Sequence, residues 1–138
     1  MTNEMEDLDA ALQRAREGEK EQALFYRALA VAAIARDEAE LTQRFQELHA
    51  DEQHHLSRLT ARLLELGAAP AGLDDVRPAP VGMDAWEPAA RAREEAEVSR
   101  YRGLLERELD GETRALLAGI LETEEHHASE LGGKWTAA

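Results

Sequence analysis

The chain has 138 residues, enough for one domain with a core of its own and too few to suggest two. Acidic residues outnumber basic ones 29 to 16, a formal charge of -13 that argues against nucleic acid and against an anionic membrane surface, because both need clustered Lys and Arg. No cysteine is present, which excludes disulfides, thiolate zinc sites, iron-sulfur clusters and thiol catalysis, so any metal must be held by carboxylate and imidazole.

Leucine, alanine, glutamate and arginine dominate and aromatics are only 4%, the composition of an all-α protein. The start, "MTNEMEDLDAAL", has neither a basic nor an apolar leader segment, and no run approaches the roughly 20 apolar residues of a membrane span. A soluble cytoplasmic protein is expected. All four prolines lie in the segment 70–88, which marks the one long connection, a crossover at about 67–84, and divides the chain into two similar halves.

In chain order, the first helix is expected from near Asn3, capped with Glu6, to about Arg36. Its core stripe reads Leu8, Leu12, Ala15, Glu19, Gln22 or Ala23, Tyr26, Ala30 and Ala33. Asp37 with Glu40 repeats the capping-box spacing, predicting a second helix over about 38–66 that stops at Gly67. There the stripe is Leu41, Phe45, Leu48, Glu52, His55, Leu59, Leu63 and Leu66, so two polar groups sit among leucines. Asp84 with Glu87 predicts a third helix over about 85–109, with Pro88 in its first turn and a stripe of Trp86, Ala90, Glu94, Glu97, Tyr101 and Leu104 or Leu105. "DG" at 110–111 then breaks the chain before a fourth helix over about 112–131, with Leu117, Ile120, Glu124, His127 and Leu131 facing in. Two helical hairpins joined by a long crossover make a four-helix bundle. Gly18, Gly103 and Gly119 fall inside these helices at a cost of about 1 kcal/mol each relative to alanine, and the sequence offers no reason for them.

Glutamates therefore occupy one depth on all four helices. An isolated buried carboxylate costs several kcal/mol or takes up a proton, and almost no inward Lys or Arg is available to pair with these. Two divalent cations would meet the need. Glu-x-x-His puts both side chains on one helix face a turn apart, and two such helices plus one Glu from each of the others can hold a dinuclear site. Glu52 and Glu124 are expected to bridge, Glu19 and Glu94 to cap the ends, and His55 and His127 to bind one ion each. The signal is the shared location of these residues in the core stripes, since Glu-x-x-His alone is common in so acidic a chain. Protonated imidazole cannot ligate, so metal binding is expected to weaken below about pH 6.

Tyr26 and Tyr101 each stand seven residues past a capping Glu. Either they orient ligand carboxylates or they are core aromatics whose hydroxyls find another partner. His54 and His126 point roughly 100° away from the ligand histidines and are read as outward, and His49 is left out of the site. From Ala23 to Ala35 only Arg27 is charged, with Leu24, Ala28, Val31, Ala32 and Ala35 opposite Glu19, so a homodimer through this helix, or a hairpin exchange, is expected.

"EKEQALFYRALA" at 19–30 with "LHADEQHHLSRL" at 48–59, and "EEAEVSRYRGLL" at 94–105 with "LETEEHHASEL" at 121–131, resemble the four helices of the rubrerythrin group within the ferritin-like superfamily. The resemblance covers nearly the whole chain apart from the crossover and the tail. It implies a ferritin-like four-helix bundle with two iron ions, manganese or a mixed pair being alternatives, that reduces hydrogen peroxide to water in defence against oxidative stress. It also implies a ligand role for Glu97, which matches an additional glutamate that exchanges with a histidine in that group. Many rubrerythrins carry a cysteine-ligated rubredoxin domain; without cysteine this chain is similar to the short members, which implies an external electron donor such as a rubredoxin-like protein. The competing readings are a ferroxidase that uses dioxygen for iron storage or delivery, with or without a separate compartment, an oxygenase, and a metal-free helical adaptor.

Overall fold

The computed structural model describes residues 7–132. Among them are four α-helices and no strand: α1 Leu8–Ala35, α2 Ala39–Glu65, α3 Trp86–Leu105 and α4 Gly111–Glu130, with a single 3-10 turn at Met83–Ala85. The expected cap at Asn3 with Glu6 lies outside the described residues. Within them α1 starts on Asp7, whose carboxylate accepts the Ala10 N–H at 2.8 Å.

The other helix ends correct the sequence reading in instructive ways. Asp37 does not cap α2. It takes φ 59°, and the Glu38 N–H reaches the Ala33 carbonyl at 3.0 Å while the Asp37 N–H reaches Ile34 at 3.0 Å, which closes α1 with a Schellman motif. The join to α2 is too short for Asp37 to serve both helices, and Glu38 at the α2 N-cap makes no side-chain cap bond. Gly67, at φ 85°, closes α2 by the same pattern, with Ala68 N–H on Leu63 and Gly67 N–H on Leu64. Asp84 likewise makes no cap bond and lies in the 3-10 turn that leads into α3. α3 stops at Leu105 rather than near 109, because Glu106 and Arg107 bond back to Gly103 and Leu104 over three residues, freeing Asp110 to cap α4 through the Thr113 N–H at 2.8 Å.

Direction follows from two apolar clusters. One joins Leu12, Leu59, Leu63, Tyr101, Leu104 and Leu117. The other joins Phe25, Leu29, Phe45, Leu48, Trp86 and Leu131, with Trp86 edge-on to Phe45 at 4.7 Å. α1 and α4 run from the first cluster to the second, while α2 and α3 run back, so the crossover between α2 and α3 must travel the length of the bundle. Arg16 pins it, donating to Thr60 at 2.8 Å and to the Ala71 carbonyl at 2.9 Å. No described helix is long and apolar enough to cross a membrane.

Candidate metal centre

Between the two apolar clusters lies one polar layer. Glu19 from α1, Glu52 and His55 from α2, Glu94 and Glu97 from α3, and Glu124 and His127 from α4 are all buried there. The stripe spacing puts them at that depth: each stands on its helix's buried face, one or two turns from leucine, alanine or aromatic neighbours.

The side chains converge on two positions. Glu19, Glu52, His55 and Glu124 each offer a ligand atom to one group, and Glu52, Glu94, Glu124 and His127 to the other, with the offered atoms in a group within 4.8 Å of one another. Glu52 and Glu124 belong to both. Glu52 turns Oε1 toward His55 Nδ1 at 3.2 Å and Oε2 toward His127 Nδ1 at 3.8 Å. Glu124 turns Oε2 toward His55 at 3.5 Å and Oε1 toward His127 at 3.1 Å. Glu19 lies only at the His55 end, 3.4 Å away, and Glu94 only at the His127 end, at 3.5 Å.

The donor set fits a pair of hard or borderline cations. Buried with no hydrogen-bond partner are Glu19 Oε1, both Glu52 oxygens, Glu94 Oε1, Glu124 Oε2 and His55 Nδ1. Orphaned carboxylate oxygens at such density are what a protein interior avoids unless a cation or a proton compensates them. Burial and the neighbouring acids push Glu52 well above the ordinary carboxylate value, and burial likewise raises Glu19. Glu94 is raised by burial but more strongly lowered by His127, Glu124 and Tyr26, and ends below its ordinary value. Burial depresses the two imidazoles, yet Glu124 and Glu19 lift His55 to about 9, and Asp51, Glu124 and Glu94 lift His127 to about 11. Without metal, protons on the histidines supply the missing positive charge.

The tyrosines cross between hairpins. Tyr26 of α1 donates to Glu94 Oε2 of α3 at 2.5 Å, and Tyr101 of α3 donates to Glu19 Oε2 of α1 at 2.6 Å. Each therefore fixes the end carboxylate of the opposite half rather than the one that precedes it on its own helix. Burial raises both hydroxyls well above the usual phenol value, so they remain donors. Gln22 adds a second donor to Glu94 Oε2 at 3.2 Å.

Glu97 stands apart. It is buried and faces Glu19, Glu124 and Glu94, but it belongs to neither group of four and lies instead beside Arg100, 3.4 Å from its Nε. Asp51 is the residue that periodicity missed. It sits about 100° off the core stripe, half-exposed, and its Oδ2 is 2.8 Å from His127 Nε2. Without metal both ring nitrogens of His127 carry protons, Nδ1 facing the carboxylates and Nε2 donating to Asp51; a metal taking Nδ1 would leave that Nε2–H bond in place, an orienting partner that His55 lacks among the described residues. His54 and His126 are exposed, and His49 meets the Ala23 carbonyl at 2.8 Å, outside the centre.

An antiparallel pair of hairpins with a full-length crossover and a Glu/His layer at mid-depth defines a ferritin-like four-helix fold. The chain is similar over that whole architecture to a solved structure described as a ferritin-like, diiron-carboxylate protein from Bacillus anthracis str. Ames, with a TM-score of 0.75 and 22% identity over 95% of this chain and 96% of that one. No protein-family model and no curated protein matches the chain.

Proposed function

We propose that this protein is a dinuclear-iron oxidoreductase of rubrerythrin-like type that reduces hydrogen peroxide to water. The observation that carries the reading is the pair of buried groups that share Glu52 and Glu124 and leave carboxylate oxygens on both sides without partners. The similar Bacillus anthracis protein, described as diiron-carboxylate, supports iron as the metal. When bound, iron supplies the reducing electrons and Lewis acidity toward a peroxide oxygen.

The chain's own residues supply the rest. Glu52 and Glu124 hold one oxygen toward each position, so the two positions are kept at a fixed spacing by α2 and α4 together. Tyr26 with Gln22, and Tyr101, hold the end carboxylates against rotation. The clusters around Leu59 and Phe45 exclude bulk water from above and below. A buried fifth carboxylate near the centre, Glu97, favours the rubrerythrin-like reading over a ferroxidase. An external donor such as a rubredoxin-like protein supplies the electrons, since the sequence has no cysteine to hold a thiolate-bound iron beside the dinuclear pair.

Stopped-flow mixing of the ferrous-loaded protein with peroxide and with dioxygen tests the choice. Peroxide is expected to react far faster; faster oxidation by dioxygen would favour the ferroxidase reading. Asp51→Asn is expected to weaken metal binding at the His127 position by about 10- to 100-fold while leaving the first equivalent unchanged, as read by cobalt titration. A homodimer through α1 belongs to the same reading, because Val31 and Ile34 are 61% and 58% exposed on it. Sedimentation at micromolar concentration is expected to show a dimer, and a monomer alone would remove that element.

A further inference from the structure

We propose that Gly18 and Arg100 form a seat for the Glu97 carboxylate, holding this fifth acid beside the two groups of four. Gly18 is buried in α1, one residue before Glu19. A Cβ placed on it would lie 2.8 Å from Glu97 Oε2, 3.2 Å from Glu97 Oε1 and 3.4 Å from Arg100 Nη2. The first distance is one that a Cβ does not keep, so a methyl there would make the carboxylate at the end of the Glu97 side chain swing away, and the missing side chain leaves the space in which that carboxylate rests. Gly103, Gly111 and Gly119, the other glycines within the four helices, have nothing within 4 Å of such a Cβ. Among the glycines of the four helices, only at Gly18 does the absent methyl meet a neighbour.

Charge explains why the acid stays in that notch. When ionised, the carboxylate is repelled from the centre by Glu19, Glu124 and Glu94 and attracted from outside by Arg100, one turn along α3. Arg100 is 35% exposed at the side chain and Glu97 only 7%, so the guanidinium reaches inward from the surface to meet a buried partner. Glu97 Oε1 nevertheless has no hydrogen-bond partner and Arg100 Nε has none either, so the seat holds by proximity and charge, not by a locked bidentate pair. Gly18 and Arg100 are thus positioning residues. They set how close the carboxylate stands to the His55 group, and that second part rests on the proposed dinuclear centre.

A double-variant cycle in chelator tests the seat without any metal. Gly18→Ala is expected to lower the melting midpoint by several degrees when Glu97 is present. In a Glu97→Ala background the same change should leave the midpoint unchanged or raise it, since alanine is the better helix former once the notch is empty. If Gly18→Ala alone does not fold, recovery of folding by Glu97→Ala carries the same weight, and failure of the double variant overturns the seat. An equal shift in both backgrounds, of either sign, also overturns it. Arg100→Gln in the same cycle should lower the midpoint only where Glu97 is present, and an effect independent of Glu97 removes Arg100 from the seat. Cobalt loading then tests the metal-facing part: the visible absorption of the bound ion is expected to differ between wild type and Gly18→Ala, and identical spectra at full loading overturn it. Should wild type bind no cobalt at all, the dinuclear reading fails while the cycle still decides the seat.

Discussion

Changing Glu52 and Glu124 together to glutamine is expected to take metal content from two ions per chain to none and, at the same time, to raise the melting temperature of the metal-free protein. Both carboxylates are fully buried, and three of their four oxygens have no hydrogen-bond partner. Leaving such a group buried and unsatisfied costs about 1–3 kcal/mol, and glutamine keeps the volume while removing the charge that Glu19 and Glu94 oppose. The two effects have opposite signs because the residues serve binding at the expense of stability. Metal analysis beside calorimetry reads both. A variant that keeps its metal, or one that is less stable than wild type in chelator, contradicts the account.

The metal-free protein is expected to lose stability by several degrees as pH rises from near neutral to about 9, whereas the metal-loaded protein holds its midpoint across the same range. Burial and Glu19 push Glu97 up from 4.5 to about 8, overriding Arg100. The carboxylates around them lift His55 from 6.5 to about 9 and His127 from 6.5 to about 11. Each of these groups binds its proton more tightly when folded, so its contribution is complete below the ordinary value and is lost as pH climbs through the raised one. Asp51, lowered by His127, and Glu94 act in the opposite sense, but their contribution is already complete above 3.8 and 4.5 and does not change in this window. Bound cations would replace the imidazole protons and remove the slope. Scanning calorimetry at a series of pH values, with chelator and with ferrous or cobaltous ion, checks it; a metal-free midpoint that rises with pH sinks it. Metal must also displace protons held more tightly than those of free imidazole, so competition begins above the value near 6 that free histidine suggests.

The helices, their inward faces and the depth of the Glu/His layer were legible because each rests on spacing along one helix. Glu19, Glu52, Glu94 and Glu124 interrupt apolar stripes in register, and a helix cannot turn one of them outward without turning out the leucines a turn away. Features that depend on which helices touch were not legible. The exchange of tyrosines between hairpins is one, because periodicity reports the face that Tyr26 shares with Glu19 and says nothing of Glu94 across the core. Asp51 escaped because it stands off the stripe and carries no period of its own. The helix caps at Asp37 and Asp84 failed where a box-like spacing competed with the geometry of a short join: Asp37 is needed in the left-handed turn that ends α1, and Asp84 lies in a 3-10 turn. Gly18 looked like a helix defect until Glu97 was seen to fill the space it leaves.

Anomalous diffraction at the iron edge from crystals grown anaerobically with ferrous salt measures the central claim most directly. Two peaks are predicted inside the bundle, one among Glu19, Glu52, His55 and Glu124 and the other among Glu52, Glu94, Glu124 and His127. A map with no iron between the helices, and these side chains still packed around empty space or protons, would contradict it.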